Sequence, residues 1–465
     1  MKKLIVVGVA AAMTASVLAV PSVKPRIDDL KVVQNGNRIV TITYKLADAP
    51  AVVTVDIQTN SQADAAGAWA SIGGENITPA LSGDAGKLQA NSDQTRTILW
   101  RPRKSWPDHL FKNGTARAVL TAWAAEEPPT FMVVDLVDAN NRFTYYADKA
   151  SLPGGIGDRV YKTNKILFRR IPAAGVTWKM GSPETEGRRG SDEDLHDVTL
   201  TEDYYMAVYE TTCRQYQLVR SYWYANRGES TKDFYGYYYW NDGYSNYYSD
   251  QDTIDMCPVH QTYYAMLRGK DDSLYNWPKN GHDVIHNGFF GVLRTMTGGE
   301  LLFDLPTEAQ WEFAARAGTS GQTYFGDVYP ASYWGYDETA ISANCWWWKN
   351  SRVTGGTTEG RISHPVGTKT ANNFDLYDML GNVGEACLDQ YKTHLGTVAA
   401  MDPEGPETET ENPSRVRRGG ACCSEEDPST WGLRSARRWS VDQIDNSMWG
   451  KMFHGFRIWA PAVAK

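Results

Sequence analysis

Residues 305–318 read LPTEAQWEFAARAG. Thr307 followed three residues later by Gln310 is the signature of a capping box, in which each side chain bonds the other residue's backbone N–H. Trp311, Ala314 and Ala315 form an apolar stripe at helical spacing, and Gly318 suits the exit from a helix. The pattern predicts one helix with both ends marked. Around it the segments are short, glycine-rich and irregular. One or two capped helices among much loop predict an α+β domain with little regular structure.

The pattern changes toward the N-terminus. In NRIVTITYKLA (37–47), Val40, Ile42, Tyr44 and Leu46 alternate with polar residues, the period of two that a half-buried strand needs. AVVTVDIQT, TRTILWR and ARAVLTAWA repeat that behaviour, and Asn35-Gly36 offers a tight turn. Residues 22–125 are therefore expected to form an all-β, immunoglobulin- or fibronectin-like sandwich. AAEEPPTF (124–131), with two acids and two prolines, opens a linker and lead-in over 126–164. The mixed domain should then run over 165–465. No repeat of 20 to 50 residues is present.

The chain opens MKKLIVVGVAAAMTASVLAVPSV. A basic start, an apolar run from Leu4 to Leu18 and small residues before Ala19 read as a signal peptide (1–19) cleaved after Ala19. The run is too short to span a bilayer comfortably, and no later segment is long and apolar enough to do so. The expected destination is secreted, periplasmic or cell-surface. A net charge of −8, more acidic still once Lys2 and Lys3 are lost, argues against nucleic acid as a partner. Six cysteines in an exported chain permit disulfides, and their spacing does not fix the pairing.

Several motifs resemble one known family. GVTWKMGSP, YYMAVYETTCRQY, LPTEAQWEFAARAG, LYDMLGNVGEACLDQY, RVRRGG and LRSARR…HGFRIW follow the order seen in the formylglycine-generating enzyme (sulfatase-modifying factor) family, over roughly residues 165 to 460. The resemblance implies a C-type-lectin-like fold, often with bound calcium. It assigns calcium-binding side-chain oxygens to Asp378 and Glu385, and carbonyl oxygens to Gly381 and Val383. Six to eight hard oxygens are what calcium takes. The competing role for Glu385 is an ion pair with an arginine such as Arg418.

Active members of that family oxidise a substrate cysteine with copper(I) held by two thiolates, soft ligands that select this ion. The pair lies four and nine residues after the Gly-Gly. Counting from Gly420, those positions hold Ser424 and Ser429, whose hydroxyls bind copper(I) poorly. Cys422 and Cys423 fall at the second and third positions, and neighbours on an extended segment point to opposite sides. A copper site is therefore not expected. The resemblance sets GEACLDQY beside this segment, so one of the two is expected to be buried or bonded to Cys387 and the other free.

Another branch of the family uses non-heme iron on a helical domain. His282 and His286 in HDVIHNG have spacing that serves metals only on a helix, and Gly281 and Gly288 bracket them. A loop with two unrelated histidines is expected. The stretch FYGYYYWNDGYSNYYSD (234–250) has a paratope-like composition, with rigid aromatic rings among small polar residues. Tyr235, Tyr237, Tyr238, Tyr239, Trp240, Tyr244 and Tyr247 are its candidate ligand contacts, with NCWWWKN (344–350) as a second aromatic wall. Internal packing of the same rings is the alternative.

The sequence thus supports an exported protein that binds a glycan, peptide or protein ligand. A formylglycine-generating-type oxidase or other metal-dependent enzyme is the second reading, and a structural envelope component the third.

Overall fold

The computed structural model describes residues 23–60, 68–109, 115–227, 244–262, 264–269, 284–330, 335–354, 360–404, 414–422, 433–441 and 453–462. The first unit is all-β. Strands β1 (Arg26–Gln34), β2 (Val40–Ala47), β3 (Ala51–Thr59), β4 (Ala70–Ser71), β5 (Leu81–Gly83), β6 (Leu88–Gln89), β7 (Ser92–Trp100) and β8 (Ala116–Ala124) make two sheets, ordered β1-β2-β7-β5 and β4-β3-β6, with β8 paired to β3. The alternation in β2 sends Ile42, Tyr44 and Leu46 inward beside Ile98 and Trp100 of β7. The β1–β2 connection is made at Asn35-Gly36. Asn35 N bonds Ile39 O, Arg38 N bonds Asn35 O, and Arg38 rather than Gly36 takes the left-handed conformation (φ 66°). The Arg38 N to Asn35 O bond closes a tight turn with Gly36 and Asn37 at its centre, where the sequence places one.

The second unit is built around a five-stranded sheet. Its strands are β9 (Phe131–Asp135), β10 (Phe143–Tyr146), β11 (Lys165–Ile171), β14 (Tyr204–Ala207) and β22 (Trp459–Pro461), in the order β10-β9-β11-β14-β22. Between β11 and β14 lie β12 (Val176–Met180) and β13 (His196–Leu200); β13 also pairs with β18 (Ala400–Met401), and β15 (Arg352–Val353) and β16 (Gly360–Arg361) pair with each other. A four-stranded sheet follows the order β20-β19-β17-β21, from β17 (Gly384–Gln390), β19 (Arg415–Arg418), β20 (Trp439–Val441) and β21 (His454–Gly455).

Short helices pack on these sheets: α1 (Gly74–Ile77, in the first unit), α2 (Cys213–Arg227), α3 (Gln251–Asp255), α4 (Tyr264–Arg268), α5 (Phe289–Met296), α6 (Glu308–Arg316) and α7 (Glu338–Asn344). Helices α2 and α5 meet through a parallel stack of Tyr216 on Phe289, centroids 5.1 Å apart. They cover one face of the five-stranded sheet. Helix α6 sinks Trp311, Ala314 and Ala315 into a second core with Met379, Leu380 and Cys387.

The two units touch closely. Tyr145 N donates to Gly86 O at 2.7 Å, and Thr78 Oγ1 to Ser151 O at 2.8 Å. A cavity of about 300 Å³ opens beside these contacts. Among the described residues no helix is long and apolar enough to cross a membrane.

Candidate functional site

Helix α6 organises the region where the motifs converge. Its capping box is formed as expected, and the chain leaves through Ala317 in the left-handed conformation. Glu308 and Glu312 lie one turn apart, and Arg418 of β19 donates to both at 2.8 Å. Arg438 grips the Glu308 carboxylate at 2.6 and 2.9 Å. Burial alone would raise the Glu308 pKa, but the two guanidiniums outweigh it and hold the group below the usual carboxylate range. Charges taken this far out of water must be paired, since an orphaned one would cost several kcal/mol.

Gly419 follows Arg418 for a steric reason. Its φ is +87°, and a Cβ there would stand 2.9 Å from Met379 O and 3.3 Å from the Trp311 ring. The Gly-Gly of the motif lets the chain turn tightly over the α6 tryptophan.

The expected calcium residues form a loop between this helix and the five-stranded sheet. Asp378 and Asn382 are left-handed, and Asp378 is buried. Its Oδ2 accepts from Gly367 N at 2.6 Å, while Oδ1 has no partner. Burial pushes this carboxyl up to about 6, although the Gly367 N–H, Arg457 and Lys162 act against it. Glu385 is already engaged. Arg457 Nη2 donates to its Oε1 at 2.7 Å, and Trp311 Nε1 to its Oε2 at 2.6 Å. Its arginine is thus Arg457, not Arg418, although Arg418 faces it across the β17–β19 register.

Glu210, which the motif reading passed over, stitches the loop together. It accepts from Asn382 Nδ2 at 2.7 Å and Val383 N at 3.0 Å. Burial drives its carboxyl well up, and the nearby Asp378 and Glu385 add to the effect. The only sequence signal was a glutamate in YETT. Gly381 N is used by Gly419 O.

As a calcium site the set fits in part. Asp378 offers an open oxygen in a region where Glu210, Asp378 and Glu385 face the single guanidinium of Arg457. Glu385 has both oxygens committed. Among the described residues no three His, Cys, Asp or Glu side chains converge closely enough to hold a metal ion.

Cys422 lies under this loop and is fully buried. Its N donates to Asn382 O and its O accepts from Ser351 Oγ, both at 2.9 Å. Cys387 belongs to the core of α6, whereas Cys422 belongs to a separate cluster around Tyr244. Cys422 therefore meets the first of the two expected alternatives, burial; it is not bonded to Cys387, the two thiols packing in different cores. Cys423, Ser424 and Ser429 lie outside the described residues.

Of the candidate ligand contacts, Tyr235, Tyr237, Tyr238, Tyr239 and Trp240 also lie outside them, as does His282. Tyr244 is fully buried, its hydroxyl donating to Pro258 O at 2.9 Å and paired with Ser363 Oγ. It holds the interior and offers no face to an external ligand, which corrects that assignment. Tyr247 is half-buried and packs on the same cluster. His286 is exposed, beside Trp223.

Of the tryptophans of NCWWWKN, Trp346 packs with Tyr244, Tyr247 and Tyr248 and the other two with the core of α6, and the faces of Trp346 and Trp348 are occupied. His364 stacks on Trp346 at 3.7 Å, Lys369 lies 4.0 Å from the same ring, and Arg361 sits 3.5 Å above Trp348. Trp347 is buried. Neighbouring Tyr248 bonds His364 Nδ1 at 3.1 Å.

This arrangement, with a helix, a Gly-Gly strand and an arginine-bearing C-terminal segment locked by buried ion pairs, belongs to the formylglycine-generating-enzyme-like fold. The sulfatase-modifying factor enzyme 1-like domain matches residues 170–459, and the chain belongs to that family. It is similar to the formylglycine-generating enzyme of Mus musculus, 25% identical over 290 residues, 59% of this chain and 71% of that protein. It is also similar to the chaperone protein LppX of Paenibacillus barcinonensis, 29% identical over 244 residues, 49% of this chain and 71% of that one. Among solved structures, Treponema denticola variable protein 1 aligns with a TM-score of 0.42 and 21% identity, covering 64% of this chain and 95% of that one.

Proposed function

We propose that this is an exported member of the family without cysteine oxidase activity, and that it works by binding a glycan, peptide or protein. One observation carries the first half: the thiol nearest the Gly-Gly, Cys422, is buried and fixed by its backbone, while the family's two copper positions hold Ser424 and Ser429. A buried thiol reaches neither peptide nor oxygen, and two hydroxyls make a poor copper(I) site. The binding half rests on the composition of residues 234–250, with Tyr244 removed from the candidate contacts. Export rests on the signal-like residues 1–19, with a secreted, periplasmic or cell-surface destination.

The test has two arms. The mature chain is incubated with copper(I), oxygen and a sulfatase-type cysteine peptide, beside an active family member. The peptide mass should stay unchanged; conversion to the aldehyde would make the protein an oxidase. The chain is then screened on glycan and peptide arrays against a variant with Tyr235, Tyr237, Tyr238 and Tyr239 changed to Ser. A ligand bound equally by both forms would reject the tyrosine stretch as the binding surface.

Calcium is proposed at Asp378, with the Gly381 and Val383 carbonyls and with Glu385 contributing only by sharing with Arg457. Its role would be to neutralise the surplus carboxylates and hold the loop. Millimolar calcium should raise the melting temperature over that in chelator, and Asp378→Asn should abolish the difference. A melting temperature indifferent to calcium would leave Arg457 as the loop's cation.

A further inference from the structure

Three cysteines meet in one apolar pocket that the proposed function does not use. Cys257 and Cys422 are buried around Tyr244, and Cys213 packs against the same cluster. Thr212 and Pro258 form an isolated antiparallel bridge. It is flanked by Val259 N bonded to Thr211 O at 2.8 Å and Cys213 N bonded to Cys257 O at 2.9 Å. That register sets Cys213 directly opposite Cys257.

Only one of the two ladder bonds is made at this pair, since Cys257 N donates to Ile254 O, but facing residues of an antiparallel pair have Cα atoms about 4.5–5.5 Å apart and side chains that leave the same face. Disulfides most often span Cα separations of about 5.5–6 Å. Neither sulfur has a strong competing partner: Cys213 Sγ is 3.8 Å from Pro258 O, and Cys257 Sγ is 3.4 Å from Thr253 O. Cys422 enters the pocket from a different segment, held by Asn382 and Ser351.

We infer that Cys213 and Cys257 are a cross-link site, forming a disulfide when the chain folds under oxidising conditions. Two S–H bonds are lost and one S–S bond forms. The two protons and two electrons pass to a small-molecule or protein disulfide, which is reduced to two thiols. The bond ties the start of α2 to the residues after α3, and so fixes both ends of the span that contains the tyrosine-rich stretch. Timing follows from burial. The thiolate is the attacking species, and burial pushes both thiols up. The bond is made while the pair is still exposed, and the folded, reduced protein exchanges slowly.

The full chain is refolded in a reduced/oxidised glutathione buffer, the remaining thiols are alkylated under denaturing conditions, and the disulfides are mapped by peptide mass. The expected result is a peptide joining Cys213 to Cys257, with Cys422 alkylated. The oxidised form should melt about 5 °C or more above the reduced form. Cys422→Ser should keep the linkage and the shift, whereas Cys213→Ser and Cys257→Ser should each lose both. Complete alkylation of Cys213 and Cys257 in folded protein, or a linkage of either to Cys422, would overturn the inference. Because Cys422→Ser tests the assignment with both partners intact, poor folding of the other variants would not obscure it.

Discussion

His260 is buried with neither ring nitrogen hydrogen-bonded, edge-on to Tyr244 at 4.9 Å. Burial pushes its pKa down to about 4, against about 6.5 in an unfolded chain. Between those values the unfolded chain binds the extra proton, so stability is lost as the pH falls. Asp378, raised to about 6, and Asp389, raised to about 7, act in the opposite sense. The His260 contribution is therefore read as a difference between two proteins. His260→Phe keeps the ring contact and removes the two unpartnered nitrogens. It should stabilise the fold by about 1 kcal/mol at pH 7 and, relative to the parent, by about 2 kcal/mol more at pH 5. Urea melts at both pH values check this, and parallel curves would mean that His260 titrates normally. Nothing in MCPVHQTYY marks this histidine as buried, because burial comes from Tyr244 and Phe453, far away in the sequence. The partner of Glu385 is hidden for the same reason: the acid and its arginine are both visible in the sequence, but the choice among the seven arginines buried among the described residues is made by the fold.

Helix α6 was legible because its start, stripe and end are all local. Thr307 Oγ1 accepts from Gln310 N at 3.2 Å, and Gln310 Oε1 accepts from Thr307 N at 2.9 Å. Thr307→Ala removes one half of the box and should cost about 1 kcal/mol. Thr307→Ser should recover most of it, and the denaturation midpoints of the three proteins give the comparison. If alanine cost nothing, the buried ion pairs of Glu308 and Glu312 would be fixing the helix without its cap. β2 was legible in the same way, since alternation is a local signal. The turn before it is equally local: Asn35-Gly36 opens the bend that the Arg38 N to Asn35 O bond closes. Of the tryptophans at 346–348, only Trp346 packs with the described Tyr244, Tyr247 and Tyr248, while Trp347 and Trp348 join the core of α6. The stacking faces of Trp346 and Trp348 are taken by His364, Lys369 and Arg361, all later in the chain.

Across the whole molecule, the order of motifs was enough for the family because each motif supplies one side of a long-range contact: Glu308 with Arg418 and Arg438, Glu210 with Asn382, Glu385 with Arg457. How the two units meet left no comparable trace, since their contact uses main chain and small residues. At Gly74 in α1, a Cβ would stand 2.2 Å from Ala150 O and 2.2 Å from Ser151 Cα, closer than a real side chain can approach. These neighbours are backbone and cannot swing aside. The first unit has its own core, from Val40 to Trp100, which α1 enters through Ile77 and not through Gly74. Gly74→Val should therefore separate the units while leaving each folded. Proteolysis in the 125–130 connection should accelerate by an order of magnitude or more, and the radius of gyration from solution scattering should rise. The melting of the family domain should hardly move, because its buried ion pairs lie away from the contact. If cleavage and scattering were unchanged, the hydrogen bonds from Tyr145 to Gly86 and from Thr78 to Ser151 would be holding the units together without the close approach at Gly74.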